Sequence, residues 1–121
     1  MEIIRGLHNL HSKLGGNVIS IGNFDGVHRG HQLIIDQLKK KAKAHNVPAT
    51  IITFHPSPQE YFAADTAPAK LTQFRDKMEL LAKYGVDRII CLPFNQKLAA
   101  LTAHEFIHTI LIQGLDARYI V

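Results

Sequence analysis

The chain has 121 residues, of which 46% are hydrophobic and 20% are charged, and its formal net charge at pH 7 is +4. This composition is that of one ordinary globular domain and excludes an intrinsically disordered chain. The mild basic excess suits an anionic partner, but the clustered lysines at 39–43 fall at the end of a predicted helix rather than along a stripe, so we expect no nucleic-acid partner.

The first part of the chain predicts a strand followed by a helix. Residues 18–21 form a β-branched run that predicts the strand, and three glycines follow between residues 22 and 30. The helix is predicted from His31 to the Asn46-Val47-Pro48 segment, which is typical of a helix end. The residues expected on its buried face are Ile34, Ile35, Leu38 and Ala42.

A second strand and a second helix are predicted in the middle of the chain. The strand at residues 49–54 is apolar on both faces, as in parallel sheets covered by helices. Two prolines just after His55 end this strand, and a long loop follows. Thr72 is predicted to cap a helix that ends at Gly85. The residues expected on the buried face of this helix are Phe74, Met78, Leu81 and Ala82.

The last third of the chain predicts a third strand and a third helix. Residues 87–92 form the strand, in which Cys91 is expected to be a packed thiol rather than a nucleophile. Residues 93–96 are predicted to form a loop. Thr102 is predicted to cap the helix, and Gly114 to close it.

This alternation of strands and helices predicts a single α/β domain, residues 1–121, with a parallel sheet and right-handed crossovers. Residues 117–121 predict a fourth strand, and the sequence stops within it. We therefore expect the domain to be incomplete.

The segment from Gly22 to His31, with the sequence Gly-Asn-Phe-Asp-Gly-Val-His-Arg-Gly-His, is the most informative part of the chain. It joins the first predicted strand to the first predicted helix, where open α/β sheets bind ligands and a helix N-terminus offers N–H groups to phosphate. Gly30 leaves the backbone open to a phosphate. His28 and His31 are three positions apart, so both can donate N–H groups to one ligand.

Two interpretations of this segment are open. It lacks the Gly-Lys-Ser/Thr of a Walker A loop and the Gly-x-Gly-x-x-Gly of dinucleotide-binding folds. Histidine donors in place of lysine suggest attack at the α-phosphate of a nucleotide, with pyrophosphate leaving. The plainer alternative is a glycine-rich turn whose two histidines only cap the helix.

Four segments, taken in order, resemble one known family. His28-Arg29-Gly30-His31 is similar to the His-x-Gly-His signature of the nucleotidylyltransferase superfamily. Residues 22–31 as a whole resemble the version found in bacterial bifunctional riboflavin kinase/FMN adenylyltransferases. The other segments that resemble this family are Thr53-Phe54-His55-Pro56-Ser57-Pro58, residues 71–81 and Leu92-Pro93-Phe94-Asn95.

The resemblance covers residues 18–121 and implies a Rossmann-like (HUP-type), three-layer α/β/α domain with the four predicted strands in the order 3-2-1-4. It implies transfer of AMP from ATP to FMN, giving FAD and pyrophosphate, with Mg²⁺ accompanying ATP. The expected catalytic residues are His28 and His31. The expected ATP-binding residues are Gly22, Asn23, Phe24, Asp25, His28, Gly30 and His31. The expected FMN-binding residues are Asn23, Phe54, His55, Pro56, Ser57, Pro58 and Phe62.

The sequence departs from the family pattern by omission. The family has a glycine loop after the fourth strand, a Ser-Ser-Thr-x-x-Arg motif that closes on the phosphates, and a riboflavin kinase barrel, and none of these is among the 121 residues. We therefore expect an incomplete adenylyltransferase module without the kinase domain. The alternatives are an inactive nucleotide-binding fragment and another nucleotidylyltransferase, such as a cytidylyltransferase.

A rival motif lies at residues 104–108, where His104 and His108 have the His-Glu-x-x-His spacing of zinc proteases. Thr102 and Glu105 fit a capping box, which accounts for Glu105 without a metal. Only Asp116 follows as a further candidate ligand, so we expect no metal site here. The residues expected on the buried face of this helix are Phe106, Ile107, Ile110 and Leu111.

No targeting signal is predicted. The first 14 residues contain charged side chains and no long apolar run, which excludes a signal-peptide pattern. No stretch approaches the roughly 20 apolar residues of a spanning helix. We therefore expect a cytoplasmic protein that does not bind membranes. We assign no role to His8, His11 and His45, which are expected to be exposed.

Overall fold

A computed structural model describes residues 1–6, 16–22, 24, 29–55, 70–114 and 117–120 of the chain. In this part of the chain, strands and helices alternate as the sequence predicts. The elements in chain order are β1 (Glu2–Arg5), β2 (Asn17–Ile21), α1 (Arg29–His45), β3 (Ala49–Phe54), α2 (Lys70–Lys83), β4 (Arg88–Leu92), α3 (Gln96–Ala99), α4 (Ala103–Phe106), a π-helical segment (Ile107–Gly114) and β5 (Ala117–Ile120).

The described strands form one parallel sheet in the order β1-β4-β3-β2-β5. The predicted order 3-2-1-4 corresponds to β4-β3-β2-β5 and is confirmed. Strand β1 was not predicted, because Glu2-Ile3-Ile4-Arg5 is short and has charged residues at both ends. It pairs with β4, so that Arg5 lies beside Cys91 at the carboxyl edge of the sheet.

Two apolar layers cover the sheet, which confirms the three-layer Rossmann-like architecture. Side chains alternate across a strand, so consecutive residues such as Ile51 and Ile52 are buried in opposite layers. One layer lies against α1 and α2 and includes Val18, Phe24, Ile35, Leu38, Ile51, Phe74, Met78, Leu81, Ile89 and Cys91. The other lies against the helices that follow β4 and consists of Ile19, Ile52, Ile90, Leu92, Leu98 and Ile110.

Helices α1 and α2 end where the sequence predicts. Asn46 has a φ of 56° and Gly85 a φ of 91°, the left-handed conformation that closes helices. Both helices begin earlier than predicted, α1 at Arg29 rather than His31 and α2 at Lys70 rather than after Thr72, so Thr72 lies inside α2 rather than at its cap.

The buried stripes of α1 and α2 are narrower than predicted. Ile35, Leu38 and Ala42 are buried, but Ile34 is 36% exposed because it lies at the margin of the stripe. On α2 the buried residues Phe74, Met78 and Leu81 confirm the prediction. Ala82 is exposed, because it is one position past Leu81 and turns toward solvent.

The chain after β4 differs most from the predicted pattern. Residues 93–95 are neither helix nor strand, as predicted, but Gln96 begins the four-residue helix α3. Asn95 caps this helix, and its side chain accepts a hydrogen bond from the Leu98 N–H. The third predicted helix is α4 followed by the π-helical segment, of which Gly114 is the last residue. Ile110 is buried as predicted, but Ile107 is 43% exposed because the wider π turn changes which side chains share a face.

The far end of α1 is a solvated basic surface, as its composition predicts. Lys39, Lys40, Lys41 and Lys43 are exposed, and so is His45. No helix in the described ranges has the length and apolar character needed to cross a membrane.

Candidate functional site

The carboxyl ends of β2 and β3 bring together the two segments that the sequence predicts to bind ligands. The Gly22 N–H donates to the Ile52 carbonyl at 3.0 Å, which holds the start of the glycine-rich turn against β3. The His55 N–H donates to the Leu92 carbonyl at 3.0 Å and holds the end of β3 against β4. Gly22 and the Phe54–His55 pair therefore lie at one edge of the sheet, where open α/β sheets bind their ligands.

On the α1 side of this edge, the Phe24 ring lies between the glycine-rich turn and His31. Phe24 is buried, and its φ of 53° places a non-glycine residue in the left-handed region, which is uncommon for a bulky side chain. Its ring centre is 5.0 Å from that of His31. The strained turn is thus stabilised by packing of the Phe24 side chain, and that packing orients the His31 ring.

The first turn of α1 contains His31 and so lies next to the contact between Phe24 and His31. The helix has 17 residues and no acidic side chain in its first turn. Gly30 is exposed and His31 is half-buried. A helix start of this kind presents N–H groups and a partial positive charge to an anion, and Gly30 adds no side chain in the way.

Phe54 and His55 are consecutive but lie on opposite faces of the sheet, as alternation along a strand requires. Phe54 lies in the layer below α3 and α4, where its ring centre is 6.2 Å from Phe94 and 6.4 Å from Phe106. These rings border an open apolar cavity of about 350 Å³. The residues that line it are Ile21, Phe54, Phe94, Leu98, Leu101, Thr102, Ala103, Phe106 and Ile107.

His55 lies on the α2 face of the sheet. Its ring stacks on Phe74 with 4.5 Å between ring centres, and Arg5 Cζ lies 5.0 Å from the centre of the same Phe74 ring. Burial raises the pKa of the Cys91 thiol, which supports the interpretation of Cys91 as a packed residue.

Helix capping accounts for Glu105 of the rival zinc motif. The Thr102 hydroxyl accepts from the Glu105 N–H at 3.1 Å, and Glu105 Oε1 accepts from the Thr102 N–H at 3.0 Å. The two bonds confirm the predicted capping box, and the Thr102 backbone N–H, followed by its side chain, lowers the pKa of Glu105. His104 and His108 are exposed, with ring centres 6.4 Å apart. No cluster of three or more His, Cys, Asp or Glu side chains suited to a metal occurs within the described ranges.

Several predicted site residues lie outside the described residues, and others near the site were not predicted. Arg5 and Phe74 belong to the second group, because contact between separate elements leaves no sequence pattern. The cavity residues on α3 and α4 were missed for the same reason. The predicted residues outside the described ranges are Asn23, Asp25, His28, Pro56, Ser57, Pro58 and Phe62.

Comparison with known proteins gives a consistent result. A family model described as FAD synthetase matches residues 10–121. The bifunctional riboflavin kinase/FMN adenylyltransferase of Escherichia coli K12 is 44% identical over 121 residues, which is 99% of this chain and 39% of the relative. That of Pseudomonas fluorescens is 46% identical over 120 residues, 99% of this chain and 38% of the relative. The chain therefore spans about two fifths of the length of these relatives.

A solved structure shares the fold. It is titled "Crystal Structure of Macrolide-efflux Protein from Streptococcus pneumoniae" and superposes with a TM-score of 0.75 at 25% identity. It covers 100% of this chain, which corresponds to 40% of the solved chain. The parallel α/β architecture of the described residues is therefore also that of this solved structure.

Proposed function

We propose that this chain, which belongs to the FAD synthetase family, is part of a protein that transfers AMP from ATP to FMN and so forms FAD and pyrophosphate. The observation that supports this most strongly is the position of Gly22 beside Phe54 and His55 at one edge of the sheet. Joining two phosphate compounds requires that both substrates reach one edge, and the two segments supply one surface for each.

The triphosphate of ATP is assigned to the glycine-rich turn and the start of α1. Backbone N–H groups and the His31 ring offer hydrogen bonds to phosphate oxygens there. We expect His28 to act with His31, and the remaining residues of the segment, Asn23 and Asp25, to border the nucleotide.

The flavin ring is assigned to the apolar cavity beside Phe54, Phe94 and Phe106. Three aromatic side chains around about 350 Å³ suit a flat, largely apolar ring system, which stacks on or packs edge-on against such rings. Phe54 was already expected from the sequence to bind FMN. Phe94 and Phe106 are added to this assignment because they line the same cavity. We expect His55, Pro56, Ser57, Pro58 and Phe62, in the segment after β3, to help to hold FMN.

The reaction needs no side-chain base. The FMN phosphate is largely ionised near neutral pH, since the second pKa of a phosphate monoester is about 6. One of its oxygens attacks the α-phosphorus of ATP. A new P–O bond forms, and the bond from the α-phosphorus to the bridging oxygen breaks, so that pyrophosphate leaves with the electron pair. His31 and the helix N–H groups stabilise the charge that moves onto pyrophosphate.

Mg²⁺ is assigned to ATP rather than to a cage of protein ligands. Mg²⁺ commonly binds through phosphate oxygens and water with few carboxylates, and the donors near the start of α1 are N–H groups and imidazole, which suit phosphate. When bound, the ion neutralises charge on the phosphate oxygens. Asp25 is not assigned as a direct ligand.

The proposal also covers the compartment and the partners of the protein. We propose a cytoplasmic protein whose partners are ATP, FMN and FAD rather than nucleic acid. Riboflavin phosphorylation, which the names of the relatives also include, is assigned to the part of the intact protein beyond this module.

The test is FAD formation by the intact protein from FMN and ATP labelled at the α-phosphate. We expect label to appear in FAD, and His31→Ala to slow its appearance by orders of magnitude. His45→Ala is the matched control, because His45 is exposed at the other end of α1. Equal rates for His31→Ala and His45→Ala would remove His31 from the mechanism.

Two alternatives predict different results in this assay. A cytidylyltransferase would prefer CTP over ATP in a competition series. An inactive nucleotide-binding fragment would bind ATP in calorimetry with the 121-residue chain but form no FAD, while the intact protein remains active.

A further inference from the structure

Basic side chains gather at the carboxyl edge of β1 and β3, on the α2 face of the sheet. Arg5 is the last residue of β1, and His55 immediately follows β3. Phe74 of α2 lies across the end of β4 between them. The Arg5 guanidinium carbon and the His55 ring centre each lie within 5.0 Å of the centre of the Phe74 ring. One apolar ring therefore fixes the positions of both groups.

Lys77 adds a second full positive charge to the same place. Lys77 lies one turn of α2 after Phe74, and its Nζ donates to Thr53 Oγ1 at 3.2 Å. Arg5 and Thr53 both pair with Cys91, on either side of it. Arg5 and Lys77 both oppose the effect of burial on the pKa of the Cys91 thiol, which agrees with their positions around the end of β4.

The location of this basic cluster relative to the aromatic cavity defines what it would bind. Phe54 faces the cavity and His55 faces the cluster, so the two surfaces are separated only by the end of β3. A ligand that reaches both needs an apolar ring at one end and an anionic group at the other, joined by a flexible linker. FMN has this composition, with a phosphate at the end of its ribityl chain.

We propose that Arg5 and His55 bind the 5′-phosphate of FMN, with Lys77 supplying positive charge behind them, and that this contact selects FMN over flavins without a phosphate. The proposal rests on the function proposed above. Two phosphate oxygens are held by the guanidinium and the imidazole, which leaves a third oxygen to attack ATP. The cluster thereby orients the nucleophile as well as binding it.

The test uses Arg5→Gln in the intact protein and measures steady-state FAD formation. We expect the KM for FMN to rise about 10- to 100-fold, since a charge-assisted hydrogen bond is worth about 1.5–3 kcal/mol. The KM for ATP should change less than about twofold, a shift of under 0.5 kcal/mol. Lumiflavin, which has no ribityl phosphate, should inhibit wild type and variant with the same inhibition constant. Arg5→Lys should restore part of the FMN affinity, because it keeps the charge but loses the two-pronged geometry.

Lys83→Gln is the matched control, since it removes one exposed lysine from the last turn of the same helix α2. It should leave the KM for FMN unchanged. A rise in the KM for ATP instead of FMN in Arg5→Gln would assign the cluster to the triphosphate and overturn the proposal. So would an unchanged KM for FMN, or a lumiflavin inhibition constant that rises in parallel with it.

Failure of the proposed function is distinguished by a binding measurement. If the intact wild-type protein forms no FAD, the reaction assignment fails, and the phosphate site is judged from the His55 imidazole resonance, assigned with His55→Gln. FMN should shift this resonance and lumiflavin should not. Equal effects of the two flavins would overturn the phosphate site whatever the enzyme activity.

Discussion

The Phe24 ring folds back over Gly22, and a β carbon placed on Gly22 would lie 3.0 Å from Phe24 Cε2. Phe24 is buried and packs against His31, so its ring has little room to move away. A larger side chain at position 22 would therefore displace the Phe24 ring and, through it, His31, which we assign to ATP binding.

The first prediction is that Gly22→Ala destabilises the fold and slows FAD formation. The added methyl group must push Phe24 aside, and overpacking of this kind costs about 1–3 kcal/mol. The free energy of unfolding from denaturant titration and the FAD-forming rate of the intact protein measure the two effects. In the double variant Gly22→Ala/Phe24→Leu the smaller side chain relieves the clash, so the two substitutions should be less harmful together than the sum of each alone. Strict additivity would show that the contact does not exist.

The second prediction concerns a row of polar side chains that crosses β2, β3, β4 and β1 within the sheet. Asn17 and Thr50 are fully buried, and Asn17 Oδ1 accepts from the Thr50 hydroxyl at 2.6 Å and from Arg88 Nη1 at 2.8 Å. Arg88 Nε also donates to Glu2 at 2.6 Å, and that glutamate side chain is 54% exposed. The row thus runs from a buried amide to a solvated carboxylate.

Removing different members of this row should have unequal effects. Thr50→Val should lower the free energy of unfolding by about 1 kcal/mol, because Asn17 keeps its bond from Arg88. Asn17→Ala should cost about 2–4 kcal/mol, because two donors lose their buried acceptor. Glu2→Gln is the control and should change stability by less than about 1 kcal/mol, since exposed ion pairs contribute little. Denaturant titration of the three variants checks the order, and a loss in Glu2→Gln as large as in Asn17→Ala would contradict it.

Three of the four strands predicted from the sequence, β2, β3 and β4, are buried along most of their length, because continuous apolar, β-branched runs such as residues 49–54 mark them. Strand β1 lacks this signal, since half of its residues are charged, and its place in the sheet follows from pairing with β4. The error at Ile107 has a different origin. A 3.6-residue period places the centre of the buried face on α1 and α2 correctly and errs only at its margins, whereas it does not describe a π-helical segment, whose turn is wider.

The candidate site likewise contains residues that the sequence predicts and residues that it does not. Gly22, Phe24, Gly30 and His31 were predicted because they lie in one ten-residue segment with a recognisable pattern, and Phe54 and His55 were predicted from a second segment that resembles the same family. Arg5 and Phe74 are far apart in the chain and meet His55 only after the sheet has formed. Single-sequence patterns record local spacing, so contacts made by strand pairing are beyond their reach.

The third prediction is a pH dependence that arises from Glu105. Hydrogen bonds from Thr102 hold the pKa of Glu105 below its ordinary value of 4.5. A carboxylate with a lowered folded-state pKa stabilises the fold above its unfolded pKa, and this contribution is lost as the pH falls through the folded value. The stability difference between wild type and Glu105→Gln should therefore be constant from pH 7 to about 5 and shrink below that.

Denaturant titrations of both proteins between pH 7 and 3 measure this difference. Glutamine preserves size and hydrogen-bonding oxygen, so the comparison isolates the charge. Thr102→Val removes the hydroxyl, the smaller of the two Thr102 contributions to the lowered pKa of Glu105, but leaves the Thr102 backbone N–H, so part of the pH-dependent difference should remain in this variant. A wild-type advantage over Glu105→Gln that grows on acidification would contradict the assigned direction of the pKa shift.

The fourth prediction concerns Cys91, whose pKa burial raises above its ordinary value of 9.0 although Arg5 and Lys77 oppose the shift. Because the folded-state pKa is raised, the stability that the neutral thiol contributes is fully present below the pKa of Cys91 in the unfolded chain. This contribution is lost as the pH rises from the unfolded-state pKa toward the folded-state pKa. The free energy of unfolding of wild type relative to Cys91→Val should therefore fall between about pH 8.5 and 10, by at most about 1.4 kcal/mol per pH unit. Valine fills similar space without an ionisable group, so it cancels the titration of lysines and tyrosines common to both proteins.

The native thiol should also react with iodoacetamide far more slowly than the thiol of the urea-unfolded chain at pH 8. Equal alkylation rates in the two states would show that Cys91 is not the packed core residue on which the end of β4 depends.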